Sequence, residues 1–364
     1  MGIRIAIMSP WNDCCGVSVH AELIGREWMR QGHEIVVFAP TQERVGGRIP
    51  IETEDERFVY RNWEMYRYGA KVEDESSLDL YFDPSPVVNE DYDLFVIEKP
   101  CLTPLGKLLK IFDVVKRKAT TIAVMHEGRV PKNVNFYKFD WDVITLFDER
   151  YKQLLADALP ADKTHIVPYP CHPIVEGKML EARSKLDLPQ EEDTKIVLVY
   201  GIRLKNLREV LPIFKGLRKT YDVILLMLSS HEESIGAAKD ITREYKFTMF
   251  RKEAPPISRL YTYFHASNAI LVHKSSADYL PTSSTVHLCL GSMRPVLCLD
   301  NNFVEVFDGE VMKYLNLDGL QENLIGVFEG RNVQSVLSDA RNYVITNSAS
   351  NIADTLMRLA QSAK

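Results

Sequence analysis

The sequence predicts an α/β protein of two doubly wound halves, each a parallel sheet with helices on both faces. Short apolar, β-branched runs alternate with segments of helical periodicity along most of the chain. This alternation is interrupted once, over residues 172–194, by Pro173, Pro189 and an acidic run. Since a domain takes about 100–200 residues, the 364 residues suffice for one domain on either side of that interruption.

The first half is predicted to open with a strand–helix–strand unit. Residues 3–8 form its first strand, and Gly32 suits the end of the helix that follows. The apolar face of that helix consists of Val17, Ala21, Ile24 and Trp28. Further strands are predicted at residues 33–38, 93–97, 121–125, 143–146 and 166–167. Residues 40–90, rich in charge and turn residues, are predicted to form an insertion or a short hairpin.

The second half repeats this organisation. Strands are predicted at residues 195–200, 223–228, 269–272 and 296–299, with helices at residues 207–217 and 257–266. Two amphipathic helices close the chain. We therefore predict domains over residues 1–175 and 190–345. Residues 346–364 are predicted to form a C-terminal helix that can pack back on the first domain.

Composition excludes several classes of protein. The net charge of -6 argues against a general nucleic-acid binder, so we expect no nucleic-acid partner. The chain enters its first strand without a secretory signal and has no apolar stretch of about 18 residues, so a cytoplasmic location is expected. Its 6 cysteines form no C-x-x-C pair, which favours buried thiols in a reducing compartment over a zinc site.

The loop after the first strand does not fit a dinucleotide. Its sequence, SPWNDCCG, offers Gly16 alone, whereas NAD and FAD sites use three spaced glycines. A P-loop is also absent from the sequence. Gly16 nevertheless precedes a helix, and free amides at a helix N-terminus bind anions, although an ordinary strand–helix turn explains the pattern equally well.

Two further segments point to a phosphate ligand. Arg203, Lys205 and Arg208 cluster at a predicted helix start, where the helix dipole disfavours cations unless an anion is bound. Residues 282–285 supply hydroxyl side chains that suit an N-cap, followed by free helix amides. The alternatives are a solvated basic helix start for the first segment and a capped core helix for the second.

His126 follows the strand at residues 121–125, with Glu127 next to it. Ligand sites in doubly wound folds lie at the carboxyl ends of the strands. An imidazole there can donate a hydrogen bond to a sugar hydroxyl or support a reacting centre electrostatically. The alternative is a structural histidine at a strand end.

In this order, the features resemble the GT-B glycosyltransferases, and among them the retaining group 1, or family 4, enzymes. The resemblance implies an N-terminal acceptor domain and a C-terminal nucleotide-sugar domain facing each other across a cleft. It places Gly16 near the donor diphosphate and His126 near the transferred sugar. Arg203 and Arg208 fall where the family has an arginine and a lysine that hold the diphosphate, and Lys205 can share that role.

The resemblance extends over residues 261–300 with one departure. Ser283, Ser284 and Thr285 stand in the family's phosphate-binding loop and helix start, but its two glutamates are unmatched. Asp278 or Tyr279 replaces the first, and His287 or Leu288 the second. We assign Asp278 to the sugar and His287 to the ribose. Farther on, Glu305 lies near a third family glutamate and carries little weight.

The resemblance implies a retaining transferase that moves a hexose from a nucleotide diphosphate sugar to an acceptor hydroxyl. It implies no metal and no cofactor, with the nucleotide sugar as substrate. The acceptor is unknown and can be a sugar, a lipid-linked sugar or a protein glycan. The missing glutamates favour an alternative, a non-catalytic GT-B module that scaffolds a partner or binds a nucleotide. A GT-B epimerase is a further alternative, and a phosphorylase ranks last.

Residues 107–118 combine basic and apolar side chains in helical order. A basic amphipathic helix can lie on an anionic membrane, so peripheral membrane contact is one prediction for this segment. A helix covering the sheet, with a solvated basic rim, is the simpler alternative.

Overall fold

A computed structural model of the chain describes residues 2–41, 53–65, 79–200, 204–229 and 232–363. In the first half, the strands and helices are β1 (Arg4–Met8), α1 (Gly16–Arg30), β2 (Glu34–Pro40), β3 (Val59–Trp63), α2 (Ser85–Asn89), β4 (Leu94–Glu98), α3 (Leu105–Leu109), α4 (Phe112–Lys118), β5 (Thr120–Val124), β6 (Val143–Leu146), α5 (Glu149–Leu155) and β7 (Thr164–Ile166).

The second half follows the same scheme. Its elements are α6 (Met179–Lys185), β8 (Lys195–Tyr200), a 3-10 turn (Leu204–Glu209), α7 (Leu211–Leu217), β9 (Val223–Ser229), α8 (Glu232–Glu244), β10 (Thr248–Lys252), α9 (Ile257–Ala266), β11 (Ala269–Val272), α10 (Ser284–Leu290), β12 (Val296–Leu299), β13 (Met312–Tyr314), α11 (Leu317–Phe328), α12 (Val333–Thr346) and α13 (Ala349–Ser362).

The strands form two parallel sheets, which confirms the predicted fold class. Among the described residues, the first sheet has 7 strands in the order β3-β2-β1-β4-β5-β6-β7, and the second has 6 in the order β10-β9-β8-β11-β12-β13. The strand order reverses between β1 and β4 in one sheet and between β8 and β11 in the other. Ligands of doubly wound folds bind outside the carboxyl ends of the strands at such points.

The second sheet is buried on both faces, as a continuous apolar strand pattern requires. In β8, Ile196 and Leu198 belong to one core, while Val197 and Val199 belong to the other. The alternation follows from the two-residue period of a strand. The first core also includes side chains of α9, α10 and α12, and the second includes side chains of α7, α8 and α11.

The last helix, α13, packs on the first sheet although it follows the second. Ala353 and Leu356 belong to the first-half core, and the indole Nε1 of Trp28 in α1 donates to the Ala353 carbonyl at 3.3 Å. The apolar face of α13 explains this placement, because an amphipathic helix buries its apolar side against the nearest core.

Two segments differ from the sequence-based predictions. In the described part of residues 40–90, predicted as an insertion or a short hairpin, β3 pairs in parallel with β2 as an edge strand of the main sheet. The end of β3 also forms an antiparallel bridge, between Trp63 and Phe82. Residues 42–52 and 66–78 of that prediction lie outside the described residues.

The basic segment 107–118 contains two short helices, α3 and α4, rather than one. Its residues Leu108, Phe112 and Val115 are buried in the first-half core. The apolar side therefore covers the sheet, and the basic rim faces outward. Within the described residues, no helix combines the length and the apolar character needed to cross a membrane.

The position of α13 leads to a stability prediction. Leu356 is 1% exposed, so Leu356→Ala should lower the free energy of unfolding by about 2–5 kcal/mol through lost burial and a residual cavity. Arg358→Ala, on the exposed side of the same helix, is the control and should change it by about 0.5 kcal/mol or less. Urea denaturation measures both. Equal effects of the two substitutions would contradict the packing of α13 described above.

Candidate functional site

The N-termini of α1 and α10 meet between the two halves. A Cβ atom at Gly16 would lie 2.7 Å from the Ser284 Oγ, so only glycine allows this approach without displacing Ser284. The Tyr169 hydroxyl donates to the Gly16 carbonyl at 2.6 Å and holds the turn in place. Two helix starts, each with the positive end of a helix dipole, therefore lie close together.

The predicted helix start at residues 282–285 is confirmed. The Ser283 side chain accepts a hydrogen bond from the Val286 amide at 3.4 Å, and α10 begins at Ser284. In the same turn, the amides of Ser284 and His287 donate to the carbonyls of Thr282 and Ser283. Whether the start of α10 binds a phosphate stays a prediction.

Lys274 is a cation beside this helix start that the sequence-based reasoning did not single out. It follows β11 at the reversal point of the second sheet, and its Nζ donates to the Thr285 Oγ1 at 3.2 Å. The same ammonium lies 5.2 Å from the centre of the Phe303 ring. The sequence did contain a signal for Lys274. It is a cation two residues beyond a buried strand, and a hydroxyl-rich helix start follows it. The structure thus brings Lys274, Ser284, Thr285 and Gly16 to one region.

His126 belongs to a buried cluster in the first half. Its Nε2 lies 2.7 Å from the Glu98 Oε2, and the Nδ1 of His20 in α1 lies 2.9 Å from the Glu98 Oε1. Glu98 ends β4 at the reversal point of the first sheet. No simple sequence pattern relates His20, Glu98 and His126, since they lie in three separate elements.

Burial and hydrogen bonding set the charges in this cluster. Burial alone would raise the pKa of Glu98, but its interactions with His20 and His126 outweigh that effect and lower it to about 2. Burial lowers the pKa of His126 to about 4, in spite of the bond to Glu98. At neutral pH, Glu98 is therefore ionised and His126 is neutral.

Among the described residues, these three side chains also form the one group of histidine and carboxylate ligands that could hold a metal ion. Their ligand atoms lie within 4.8 Å of one another. Two imidazoles and a carboxylate suit a transition metal. Both imidazoles are, however, within hydrogen-bonding distance of the carboxylate, and an ion would have to replace both hydrogen bonds. We therefore treat the cluster as a hydrogen-bonded triad.

Glu127, next to His126, is a buried carboxyl group. Its Oε1 accepts a hydrogen bond from the Cys101 amide at 3.1 Å. Its Oε2 has no hydrogen-bond partner in the described part of the chain. Burial raises the pKa of Glu127, which favours the protonated form relative to an exposed glutamate.

Two loops bridge the halves beside His126. The Leu280 amide donates to the Gly128 carbonyl at 2.9 Å, and the Tyr151 hydroxyl donates to the Leu280 carbonyl at 3.2 Å. Arg129 pairs with Asp278 at 2.5 Å across the same junction. The Asp278 side chain is 86% exposed, so the structure places the predicted sugar contact at the outer end of the bridge.

The remaining predicted donor-site residues are spread out. Arg208 pairs with Glu244 at 3.3 Å, and both side chains are about half exposed. Glu305 pairs with Arg150 at 2.7 Å across the halves. Arg203 and the side chain of Lys205 lie outside the described residues. Whether Arg208 contacts the diphosphate stays a prediction.

His287 lies inside the protein. Its Nδ1 is 2.9 Å from the Ser283 carbonyl, its Nε2 is 3.3 Å from the Tyr343 hydroxyl, and its side chain is 2% exposed. The turn of helix that begins at Ser283 directs this side chain toward α12 and the ring of Tyr169. Both ring nitrogens are therefore engaged in hydrogen bonds inside the protein. For this reason we do not include the predicted contact between His287 and a ribose in the proposed donor site.

A cavity of about 460 Å³ lies between the halves along α1, from the loop at Asn12 to Arg30 at the end of the helix. Cys14 and Arg26 line it from the first half, and Tyr200, Pro256 and Ile257 line it from the second. Its volume and mixed lining are typical of a small-molecule site.

The sequence matches no protein-family model. The structure, however, is similar over its whole length to solved glycosyltransferases. A glycosyltransferase from Rickettsia africae has 14% identity and a TM-score of 0.64, with 100% of this chain and 98% of that chain covered. Anabaena HepE, solved with UDP, has 11% identity and a TM-score of 0.66, with 99% and 100% covered.

The pneumococcal O-GlcNAc transferase GtfA was solved with UDP and GlcNAc. It has 10% identity and a TM-score of 0.62, with 100% of this chain and 99% of that chain covered. At such identities the likeness establishes the fold. The chain has the GT-B fold, with two Rossmann-like domains facing each other across a cleft.

The buried His287 leads to a prediction on pH. Burial lowers its pKa to about 4, whereas an unfolded histidine titrates near 6.5. Between these values the unfolded chain binds a proton that the native chain does not. The free energy of unfolding should therefore fall as the pH drops from 6.5 toward 4, by about 1 kcal/mol per pH unit for this group.

His287→Gln should remove this part of the pH dependence. Tyr343→Phe is the matched control, because it removes the hydrogen bond to Nε2 and keeps the imidazole. Urea denaturation at pH 7 and at pH 5 measures the difference. Identical slopes for the wild type and His287→Gln would show that His287 titrates normally in the native protein.

Proposed function

We propose that the chain is a retaining GT-B glycosyltransferase that moves a hexose from a nucleotide diphosphate sugar to an acceptor hydroxyl. The observation that carries this proposal is the meeting of α1 and α10 at Gly16 and Ser284, with Lys274 beside them. Helix amides and an ammonium group together suit a diphosphate, which is anionic and gains further charge as a leaving group.

The proposed donor lies across the junction of the halves. Its diphosphate contacts the start of α1, the hydroxyl of Thr285 and Lys274. Its nucleoside occupies the 460 Å³ cavity, where Tyr200 and Pro256 offer an apolar wall for a base. HepE and GtfA were solved with UDP, which supports UDP as the first nucleotide to test.

The proposed reaction needs positioning and electrostatic stabilisation more than covalent chemistry. The bond between the anomeric carbon and the diphosphate oxygen breaks, and the acceptor oxygen bonds to the same face of that carbon. The acceptor proton passes to the departing phosphate oxygen. Lys274 and the helix amides stabilise the charge on the leaving group, and His126 lies beside the transferred sugar. Arg203 remains a second predicted cation.

A non-catalytic GT-B module is the second candidate. It is favoured by the positions of Asp278 and His287, which replace the glutamates that hold the donor in the resembling family. Asp278 is exposed and paired with Arg129, and His287 is buried. A nucleotide-sugar epimerase is a further candidate, since it would use the same donor site without an acceptor.

The acceptor and the cellular location remain predictions. A sugar, a lipid-linked sugar and a protein glycan are the proposed acceptor classes, and the cytoplasm is the proposed location. Peripheral membrane contact would use the basic rim of residues 107–118, since the apolar side is buried. Lys116 of that rim already pairs with Asp142 at 2.6 Å. Sedimentation with anionic vesicles tests the remaining basic side chains.

Substituting single cations should identify the diphosphate ligand. Lys274→Ala should weaken UDP binding by about 10- to 100-fold, because a hydrogen bond to a charged group is lost. Arg208→Ala tests the sequence-based assignment, and Lys215→Ala, an exposed cation of α7, is the control. Isothermal titration with UDP measures all three. A loss confined to Arg208→Ala would favour the sequence-based site over Lys274.

Donor turnover should distinguish the candidate functions. We expect one member of a panel of UDP-, GDP- and ADP-sugars to be hydrolysed or transferred, with retention at the anomeric carbon. The rate should be unchanged in EDTA, because the proposed mechanism uses no metal. Nucleotide binding without turnover of any donor would favour the non-catalytic GT-B module. Conversion of the donor sugar without release of the nucleotide would favour an epimerase.

A further inference from the structure

The cluster around Glu98 constrains which nitrogens of its two histidines carry protons. Glu98 reaches His20 through one carboxylate oxygen and His126 through the other, at 2.9 and 2.7 Å. The side chains of His20 and Glu98 are each 2% exposed, and that of His126 is 7% exposed. The carboxylate therefore contacts two imidazoles in a site with little access to water.

An ionised carboxylate can only accept hydrogen bonds. Both rings must then present an N–H group to Glu98, which is Nδ1–H for His20 and Nε2–H for His126. Since His126 is neutral at pH 7, its second nitrogen, Nδ1, carries a lone pair and no proton. This nitrogen can accept a hydrogen bond and cannot donate one.

We infer that Glu98, held in place by His20, is a positioning residue that fixes His126 as the Nε2–H tautomer, so that Nδ1 accepts a hydrogen bond from a sugar hydroxyl. The inference rests on the proposed function for the identity of the ligand. It reverses the sequence-based expectation that the imidazole of His126 donates to the sugar. It also limits the ligand chemistry, because a fully ionised phosphate has no proton to offer Nδ1.

The surroundings of His126 maintain this state. The ring packs edge-on against Phe147 at 4.8 Å and against His20 at 5.1 Å between ring centres, which restricts its rotation. The cation of Lys99, which follows Glu98, opposes protonation of His126. A ring flip would place the bare Nδ1 against the carboxylate, where two acceptors would repel each other.

Nitrogen-15 NMR of histidine-labelled full-length protein tests the tautomer without any substrate. The wild type should show a protonated Nε2 and a bare Nδ1 for His126 at pH 7, with signals assigned through His126→Asn and His20→Asn. A cationic His126, or one protonated at Nδ1, would overturn the inference. A shift of both rings on adding zinc chloride, with loss of their N–H signals, would also overturn it, because the cluster would then be a metal site.

Glu98→Gln provides the second test. Its side-chain amide accepts through oxygen but donates through nitrogen, so one of the two rings must turn a bare nitrogen toward it. We expect one histidine to change its protonated nitrogen. Glu34→Gln, exposed at the start of β2, is the matched control and should leave both spectra unchanged. Unchanged tautomers in Glu98→Gln would contradict the assigned hydrogen bonds.

Measurements of ligand binding can distinguish a failure of this inference from a failure of the proposed function. Glu98→Gln should weaken binding of the donor sugar nucleotide by about 10- to 100-fold and leave binding of free UDP unchanged, since free UDP has no sugar for His126 to contact. Equal losses for both ligands would argue for a structural role. If the wild type bound no sugar nucleotide, the proposed function would fail, while the NMR result would still decide the tautomer.

Discussion

The close approach of Gly16 to Ser284 is the constraint on which the rest of the site depends. At this point the N-terminus of a helix from each half comes close to the other. A side chain at Gly16 would occupy this space. The Tyr169 hydroxyl holds the backbone there through its hydrogen bond to the Gly16 carbonyl. The positive ends of both helices lie close together, because Gly16 at the start of α1 approaches the side chain of Ser284 at the start of α10. Lys274 adds a full charge at the same place.

The cluster of His20, Glu98 and His126 shows how the first half buries a charge beside the cleft. A lone buried carboxylate would be neutralised by protonation, because desolvation disfavours the ion. Two N–H donors keep Glu98 ionised. The ionised carboxylate in turn orients the two imidazoles. Glu98 thus supplies both the negative charge of the cluster and its geometry. The hydrogen-bonding state of His126 is therefore set by Glu98 and His20.

Three segments of the chain connect the two halves. The linker between them leads into α6, the bridge between Gly128 and Leu280 ties their loops, and α13 returns from the second half to the first. The site lies at this junction and draws on both halves. Substitutions at the bridge should therefore affect ligand geometry as well as stability, and only a ligand-binding measurement separates the two.

The sequence by itself determined the inner strands of both sheets, because apolar periodicity is a local property of buried strands. The edge strands β3, β10 and β13 were not predicted, since they are only partly buried. The strands at 143–146, 195–200, 269–272 and 296–299 were predicted with the bounds observed. The partners of polar side chains were decided only by the tertiary structure. Arg208 pairs with Glu244, Lys274 donates to Thr285 and His287 is buried, and each of these outcomes depends on how separate elements pack. The tautomer of His126 has the same origin.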